Sequence, residues 1–176
     1  MACDTCLVVL GGLPATGKST VAKELARRTG FAHLRIDSIE QAVVRSTALR
    51  QPVGPVGYII GYDLAADQLR HGLGVIADSV NPLGITRDAW RNVAADHGAR
   101  LLEVEVVCSD PEEHRRRAET RTVDVVGLQP PSWQSILDHE YEPWNRDRLV
   151  IDTALQSPTE SAETLYAMVH GPHSED

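Results

Sequence analysis

The chain has 176 residues, 42% of them hydrophobic, with three cysteines and a formal net charge of −8. A chain of this length builds one full core without disulfides or structural metal. It shows no run of 18 apolar residues and no basic, then apolar leader, so a single cytoplasmic domain over residues 1–170 is expected, with a disordered polar tail at 171–176. The acidic balance counts against a partner such as long nucleic acid, which is gripped by a basic face.

Cys3 and Cys6 form a Cys-x-x-Cys at the N-terminus, but no second pair follows at zinc-ligand spacing, and a fraying chain end is the simpler reading. Five β-branched segments read as strands: Cys6 to Leu10, Ala32 to Ile36, Gly74 to Asp78, Arg100 to Cys108 and Arg148 to Ile151. Helical periodicity covers Lys18 to Thr29, Ser38 to Ala48, Val56 to His71, Thr86 to His97, Pro111 to Thr122 and Pro158 to His170. Asp110-Pro111-Glu112-Glu113 and Ser157-Pro158-Thr159-Glu160 are strong helix starts, each with a cap, a Pro at the first position and acid in the first turn. Strands alternating with helices predict an α/β three-layer sandwich around a five-stranded, mostly parallel sheet. Two Pro- and Gly-rich stretches, Gln51 to Gly57 and Val123 to Pro131, resist regular structure and would lie at the ligand-binding end of such a sheet.

Directly after the first strand, Gly12 to Thr20 reads Gly-Leu-Pro-Ala-Thr-Gly-Lys-Ser-Thr, a complete G-x-x-x-x-G-K-[ST] phosphate loop opening a helix. Such a loop aims backbone N–H groups at the β- and γ-phosphates of a nucleotide, assigning Gly12, Ala15, Thr16, Gly17, Lys18, Ser19 and Thr20 to nucleotide binding. Lys18 supplies a point charge and Ser19 a hydroxyl ligand for Mg²⁺. Of 17 basic residues only Lys18 and Lys23 are Lys, so an otherwise Arg-based chain keeps a compact ammonium at this position.

The apolar third strand delivers Asp78 at its end, the expected metal-side acid, and the second strand delivers Asp37. Asp37 fits a base that takes the proton of an acceptor hydroxyl. It also fits the cap of the next helix, because Asp37-Ser38-Ile39-Glu40 has capping-box spacing. Arg117 and Arg121, four apart on one helix face, form a pair able to clamp a transferring phosphoryl group from a lid at about residues 111–131, whereas Arg115 and Arg116 read as solvated. Asn81, Arg87, Tyr58 and Tyr62 are substrate-side candidates. Asn81 also suits a turn, and Tyr58 an ordinary helix position. Trp133, Tyr141 and Trp144 either wall a pocket or pack the last helices on the sheet.

These residues carry a resemblance. Gly12 to Thr20, Asp37-Ser38, Ile76-Ala77-Asp78-Ser79 and Val107-Cys108-Ser109-Asp110 leading into His114-Arg115-Arg116-Arg117 make the sequence similar to the small P-loop kinases of the nucleoside-monophosphate-kinase-like group over residues 6–155. That group includes chloramphenicol phosphotransferase, gluconate kinase, adenylylsulfate kinase and the kinase module of polynucleotide kinases. The resemblance implies a P-loop NTPase fold with a short helical lid, Asp37 as base, and ATP with Mg²⁺. No Asn-Lys-x-Asp guanine motif is present, and no Arg pattern of a nucleoside-monophosphate site. The expected activity is phosphorylation of a hydroxyl on a small molecule, a metabolite or an antibiotic as in antibiotic resistance. A polynucleotide 5′-hydroxyl kinase and an ATP-binding regulatory switch are the alternatives.

Overall fold

The computed structural model describes residues 5–171; Cys3 and the tail from 172 to 176 lie outside the described residues. Five strands, β1 (Cys6–Gly11), β2 (Ala32–Arg35), β3 (Val75–Asp78), β4 (Arg100–Val107) and β5 (Leu149–Asp152), form one sheet in the order β2-β3-β1-β4-β5. Every pairing is parallel. The helices are α1 (Lys18–Thr29), α2 (Ile36–Ser46), α3 (Val56–Arg70), α4 (Gly84–Asp96), α5 (Pro111–Thr120), α6 (Trp133–Leu137) and α7 (Pro158–His170). The short α6, capped by Ser132, is absent from the sequence reading: five residues between Pro130-Pro131 and the next irregular stretch give too little periodicity to register. Among the described residues no helix is long and apolar enough to cross a membrane.

The alternation of β1 shows how the layers are divided. Cys6, Val8 and Leu10 face a core shared with Val21 and Leu25 of α1 and with Ala162 and Leu165 of α7. Leu7 and Val9 face the other way, onto Ala65 and Leu69 of α3 and Trp90 and Ala94 of α4. Period-two side chains on a strand covered on both faces give a continuous apolar run rather than polar alternation. Close approach of α3 to the start of α2 depends on Gly61, where a Cβ would lie 2.5 Å from Ile36 Cδ1.

The two helix starts read from sequence are present. Asp110 accepts from the N–H groups of Glu112 and Glu113, and Ser157 and Glu160 form a complete capping box. The capping box read at Asp37 is not: α2 begins at Ile36, its cap residue is Arg35, and no side chain caps it. Asp37 therefore sits inside the first turn, and its carboxylate is released from the competing local role.

Leu25 is fully buried between α1 and α7. Leu25→Ala is expected to lower unfolding free energy by about 3 kcal/mol in urea titration, the usual effect of a large-to-small change in a close-packed core.

Candidate active site

Parallel register sets the frame of the site. Leu10 of β1 lies opposite Asp78 of β3, and Asp78 opposite Arg35 of β2, so three strand ends finish in one row. The connection after β1 runs to α1 on one face of the sheet, and that after β3 to α4 on the other. A crevice opens between such diverging connections, at the carboxyl ends of the strands.

The phosphate loop turns sharply out of β1. Gly12 takes φ 136°, where a Cβ would meet the Val106 carbonyl oxygen at 2.1 Å, and the non-glycine Ala15 holds φ 66°. Gly12 N–H donates to the Val80 carbonyl at 3.0 Å, fixing the loop to the end of β3. Beyond it, the backbone N–H groups of Ala15, Thr16, Gly17, Lys18 and Ser19 have no backbone partner among the described residues. Unpaired N–H groups at the positive end of a helix form a cradle for phosphate oxygens, and the residues present fit that group. Outer braces hold the cradle: Thr16 Oγ1 donates to the Leu13 carbonyl at 2.9 Å, His114 Nε2 lies 2.8 Å from the Pro14 carbonyl, and Thr153 Oγ1 donates to the Thr16 carbonyl at 2.7 Å.

Lys18 donates from Nζ to the Leu13 carbonyl at 2.7 Å. Burial pushes its pKa down to about 8, although Asp78 and Asp37 favour its charged form. Asp78 is buried at the floor of the crevice, with His33 Nε2 3.0 Å from Oδ2. Burial raises its carboxyl, but His33, Lys18 and the Ser19 hydroxyl outweigh burial and hold it below the usual carboxylate range. Ser19 and Asp78 thus stand together where a divalent cation on the phosphates would need them. Among the described residues no cluster of three or more His, Cys, Asp or Glu could hold a metal alone. That donor set suits Mg²⁺, which keeps waters and phosphate oxygens in its shell, and does not suit an ion needing an all-protein cage.

Asp37 completes the group. Desolvation, then the neighbouring Asp78 carboxylate, raises its pKa above the ordinary carboxylate range, against the pull of Arg35, Lys18 and Arg121. Its side chain stays 45% exposed, open to an incoming molecule. Arg121, half-buried, is near enough for its charge and that of Asp37 to favour each other, and its Nε has no hydrogen-bond partner among the described residues.

The other candidates are placed differently. Arg117 and Arg121 do not act as a matched pair, because α5 ends at Thr120 and Arg121 turns away in extended backbone as the cap residue. Arg117 is committed to Glu113 and to Thr153, through Thr153 Oγ1 at 2.7 Å and the Thr153 carbonyl at 3.0 Å, which braces the cradle from outside. Arg115 and Arg116 pair with Glu119 and Glu113 on the exposed side, as solvated residues.

Arg87 is only 1% exposed and its guanidinium donates to four carbonyls, those of Asn81, Pro82, Glu142 and Pro143, while stacking on Trp144 at 4.2 Å. It is a structural tie: four of its five N–H donors are used, and burial keeps the fifth from an incoming molecule. Tyr62 packs edge-on against Trp90 and donates to the Thr86 carbonyl, within the core rather than the crevice. Tyr58 accepts from the Asn81 N–H at 3.0 Å. Asn81 itself takes the turn role, with φ 50°, full burial and an Oδ1 that accepts from Thr86; its Nδ2 has no partner. Of the aromatic trio, Trp133 packs edge-on against His114, and Tyr141 and Trp144 enclose Arg87. They serve packing.

Sequence reasoning missed His33, Thr153 and Arg35. His33 and Arg35 are two apart on β2, so period two puts them on one face of the strand, and the pairing of β2 with β3 brings that face to Asp78. Thr153 follows the last strand at the end where ligand sites gather.

A family model described as AAA domain matches residues 7–126. No curated protein matches the chain. Among solved structures, the chain is similar to the APS kinase CysC of Mycobacterium tuberculosis in complex with AMPPNP and APS, at 19% identity and TM-score 0.72, over 96% of this chain and 99% of that one. It is similar to a sugar kinase from Janibacter sp. HTCC2649, at 18% identity and TM-score 0.68, over 94% and 96% of the two chains. A gluconokinase from Sinorhizobium meliloti 1021 matches at 21% identity and TM-score 0.61, over 94% and 98%. The fold is that of the small P-loop kinases.

Arg87→Leu is expected to lower stability by about 3 kcal/mol, since it strips charged donors from four carbonyls. Calorimetric titration of the folded variant with nucleotide should give the parent affinity; a selective loss of substrate binding without a loss of stability would restore Arg87 to the substrate side.

Proposed function

Since the chain belongs to the AAA domain family, we propose that it is an ATP- and Mg²⁺-dependent phosphotransferase that phosphorylates a hydroxyl group of a small molecule, a metabolite or an antibiotic. One observation carries the reading: Lys18, Asp78, Asp37 and Arg121 are electrostatic neighbours at the mouth of the phosphate cradle. A bare nucleotide-binding switch needs the first two and has no use for an open carboxylate of raised pKa opposite a half-buried arginine. The descriptions of the similar folds as kinases, one of them with AMPPNP, support the same class.

In this mechanism the cradle N–H groups and Lys18 hold the β- and γ-phosphates. Asp37 accepts the proton of the acceptor hydroxyl as its oxygen bonds to the γ-phosphorus, and the bond to the β-bridging oxygen breaks to release ADP. Arg121, carried by the segment 111–131 acting as a lid, neutralises charge spreading over the transferring group. Ser19 and Asp78 would hold Mg²⁺, which when bound would supply Lewis-acid stabilisation of the same charge. Arg117 acts through Thr153 to keep the loop in place.

The reading is tested by mass-spectrometric detection of transfer from Mg-ATP to a pooled panel of sugars, sugar acids, nucleosides, hydroxylated antibiotics and a 5′-hydroxyl oligonucleotide. Asp37→Asn is expected to lower turnover by about 10²- to 10⁴-fold with nucleotide affinity retained. Lys18→Ala should lower transfer by about 10³-fold with the fold intact, as judged by circular dichroism. Full transfer in either variant would sink the assignment.

Lys18 also makes nucleotide binding pH-dependent. Phosphate oxygens favour the ammonium, so its pKa in the complex lies above the value of about 8 in the free protein. Its contribution to affinity is complete below about 8 and is lost as pH rises toward the pKa of the complex. Calorimetry at about pH 7 and about pH 9 is expected to show weaker binding and proton uptake at the higher pH, both abolished in Lys18→Ala.

A further inference from the structure

Along the outer edge of β2, beside the crevice, lies a cavity of about 460 Å³ walled by α1, α2, α3 and the segment that follows α5. Its lining carries three cationic side chains, Lys23, Arg35 and Arg45, together with His33 and one carboxylate, Asp124, and an apolar wall that includes Leu34 and Leu64. A single short stretch of chain engages all three cations. Asp124 pairs with Lys23 and, at 2.6 Å, with Arg35 Nη1, while the Val126 carbonyl accepts from Arg45 Nη1 at 2.9 Å. Residues 124–126 thereby offer the cavity what a small anionic ligand would offer: a carboxylate between two cations and one further acceptor.

Two features mark this arrangement as exchangeable. The side chains of Lys23 and Asp124 are 45% and 51% exposed, and an ion pair that open to water changes an equilibrium by no more than about fivefold; Arg35, at 15%, is the more enclosed partner and stays in place to receive the incoming anion. Three cations against one acid also leave the cavity positive after Asp124 is counted, which favours a ligand with more charge than a side-chain carboxylate. Arg35 links the cavity to the crevice: its Nε has no hydrogen-bond partner among the described residues and stands 4.0 Å from Asp37 Oδ2.

We propose that this cavity is an oxyanion site, which takes a phosphate or carboxylate group of the acceptor between Lys23 and Arg35 in exchange for Asp124. The acceptor is then a hydroxylated small molecule carrying an oxyanion, anchored at that end while its hydroxyl lies at Asp37. Naming the ligand as the acceptor rests on the phosphotransfer reading; the oxyanion site itself does not.

The test first saturates the cradle with Mg-AMPPNP, binding being confirmed by calorimetry, and then titrates inorganic phosphate and acetate separately, following the amide resonances of residues 124–126. Binding of phosphate, acetate or both is expected with the cradle filled, and the two arms tell which group is preferred. Asp124→Asn should strengthen it about fivefold by removing the internal competitor, and Lys23→Gln should weaken it about fivefold. A pair with only a structural role gives no such opposite signs; no binding of either anion, or the same direction in both variants, overturns the site. With acceptors from the panel, Lys23→Gln should raise KM for those carrying an oxyanion and leave kcat near the parent value. If only neutral acceptors are phosphorylated, at rates unaffected by Lys23→Gln, the acceptor assignment falls while phosphotransfer stands. Failure to bind Mg-AMPPNP would strike the phosphotransfer reading instead.

Discussion

Everything at the site depends on the parallel register that stops β1, β3 and β2 in one row. Parallel strands cannot be joined by tight turns, so each must hand over to a crossover helix, and the handovers leave backbone groups without strand partners. At β1 those groups become the cradle; at β3 the last residue is Asp78; at β2 the chain enters α2 so abruptly that Asp37 is already helical. A shift of one residue in either pairing would turn the strand's side chains to the opposite face and take the acids out of the crevice. The apolar layers on both faces, which fix that register through Leu7 to Leu10, are thus part of the site's geometry as much as of its stability.

The register also concentrates charge. Lys18, Asp78, Asp37, Arg121 and Arg35 are close enough to perturb one another, and burial acts against the charged form of each one that is shifted. Asp78 is held below the usual carboxylate range because His33 lies within hydrogen-bond distance and the Lys18 charge is near, whereas Asp37, with no comparable hydrogen bond, is raised. Two neighbouring carboxylates therefore differ in proton affinity through their surroundings alone, which is the difference that the proposed mechanism uses in assigning one to the metal side and the other to the acceptor hydroxyl.

Elements governed by local patterns were legible in the sequence. The phosphate loop and the caps at Asp110 and Ser157 each rest on a few neighbouring residues whose chemistry has one main structural outcome, whereas Asp37 had two, and only the start of α2 at Ile36 removes the cap. Arg87 and Tyr62 were misread because their partners lie tens of residues away: nothing near Arg87 in the chain announces the carbonyls of Glu142 and Pro143. Arg121 shows a subtler limit. Spacing of four implies a shared helix face with Arg117 only while the helix continues, and here it ends one residue too soon. His33 and the cavity on β2 are products of tertiary assembly, with α1, α2, α3 and a distant loop all contributing.

The hydrogen bonds of Arg87 bear on where the folding unit ends. Its guanidinium joins residues 81 and 82 to residues 142 and 143. The family match stops at 126, well short of the second pair. A fragment cut at that boundary would keep residues 12–20 and both acids, yet lose the Thr153 brace on the loop and strand a cation in the interior with half of its acceptors gone. The folding unit therefore extends past the matched segment, through the residues on which Arg87 closes.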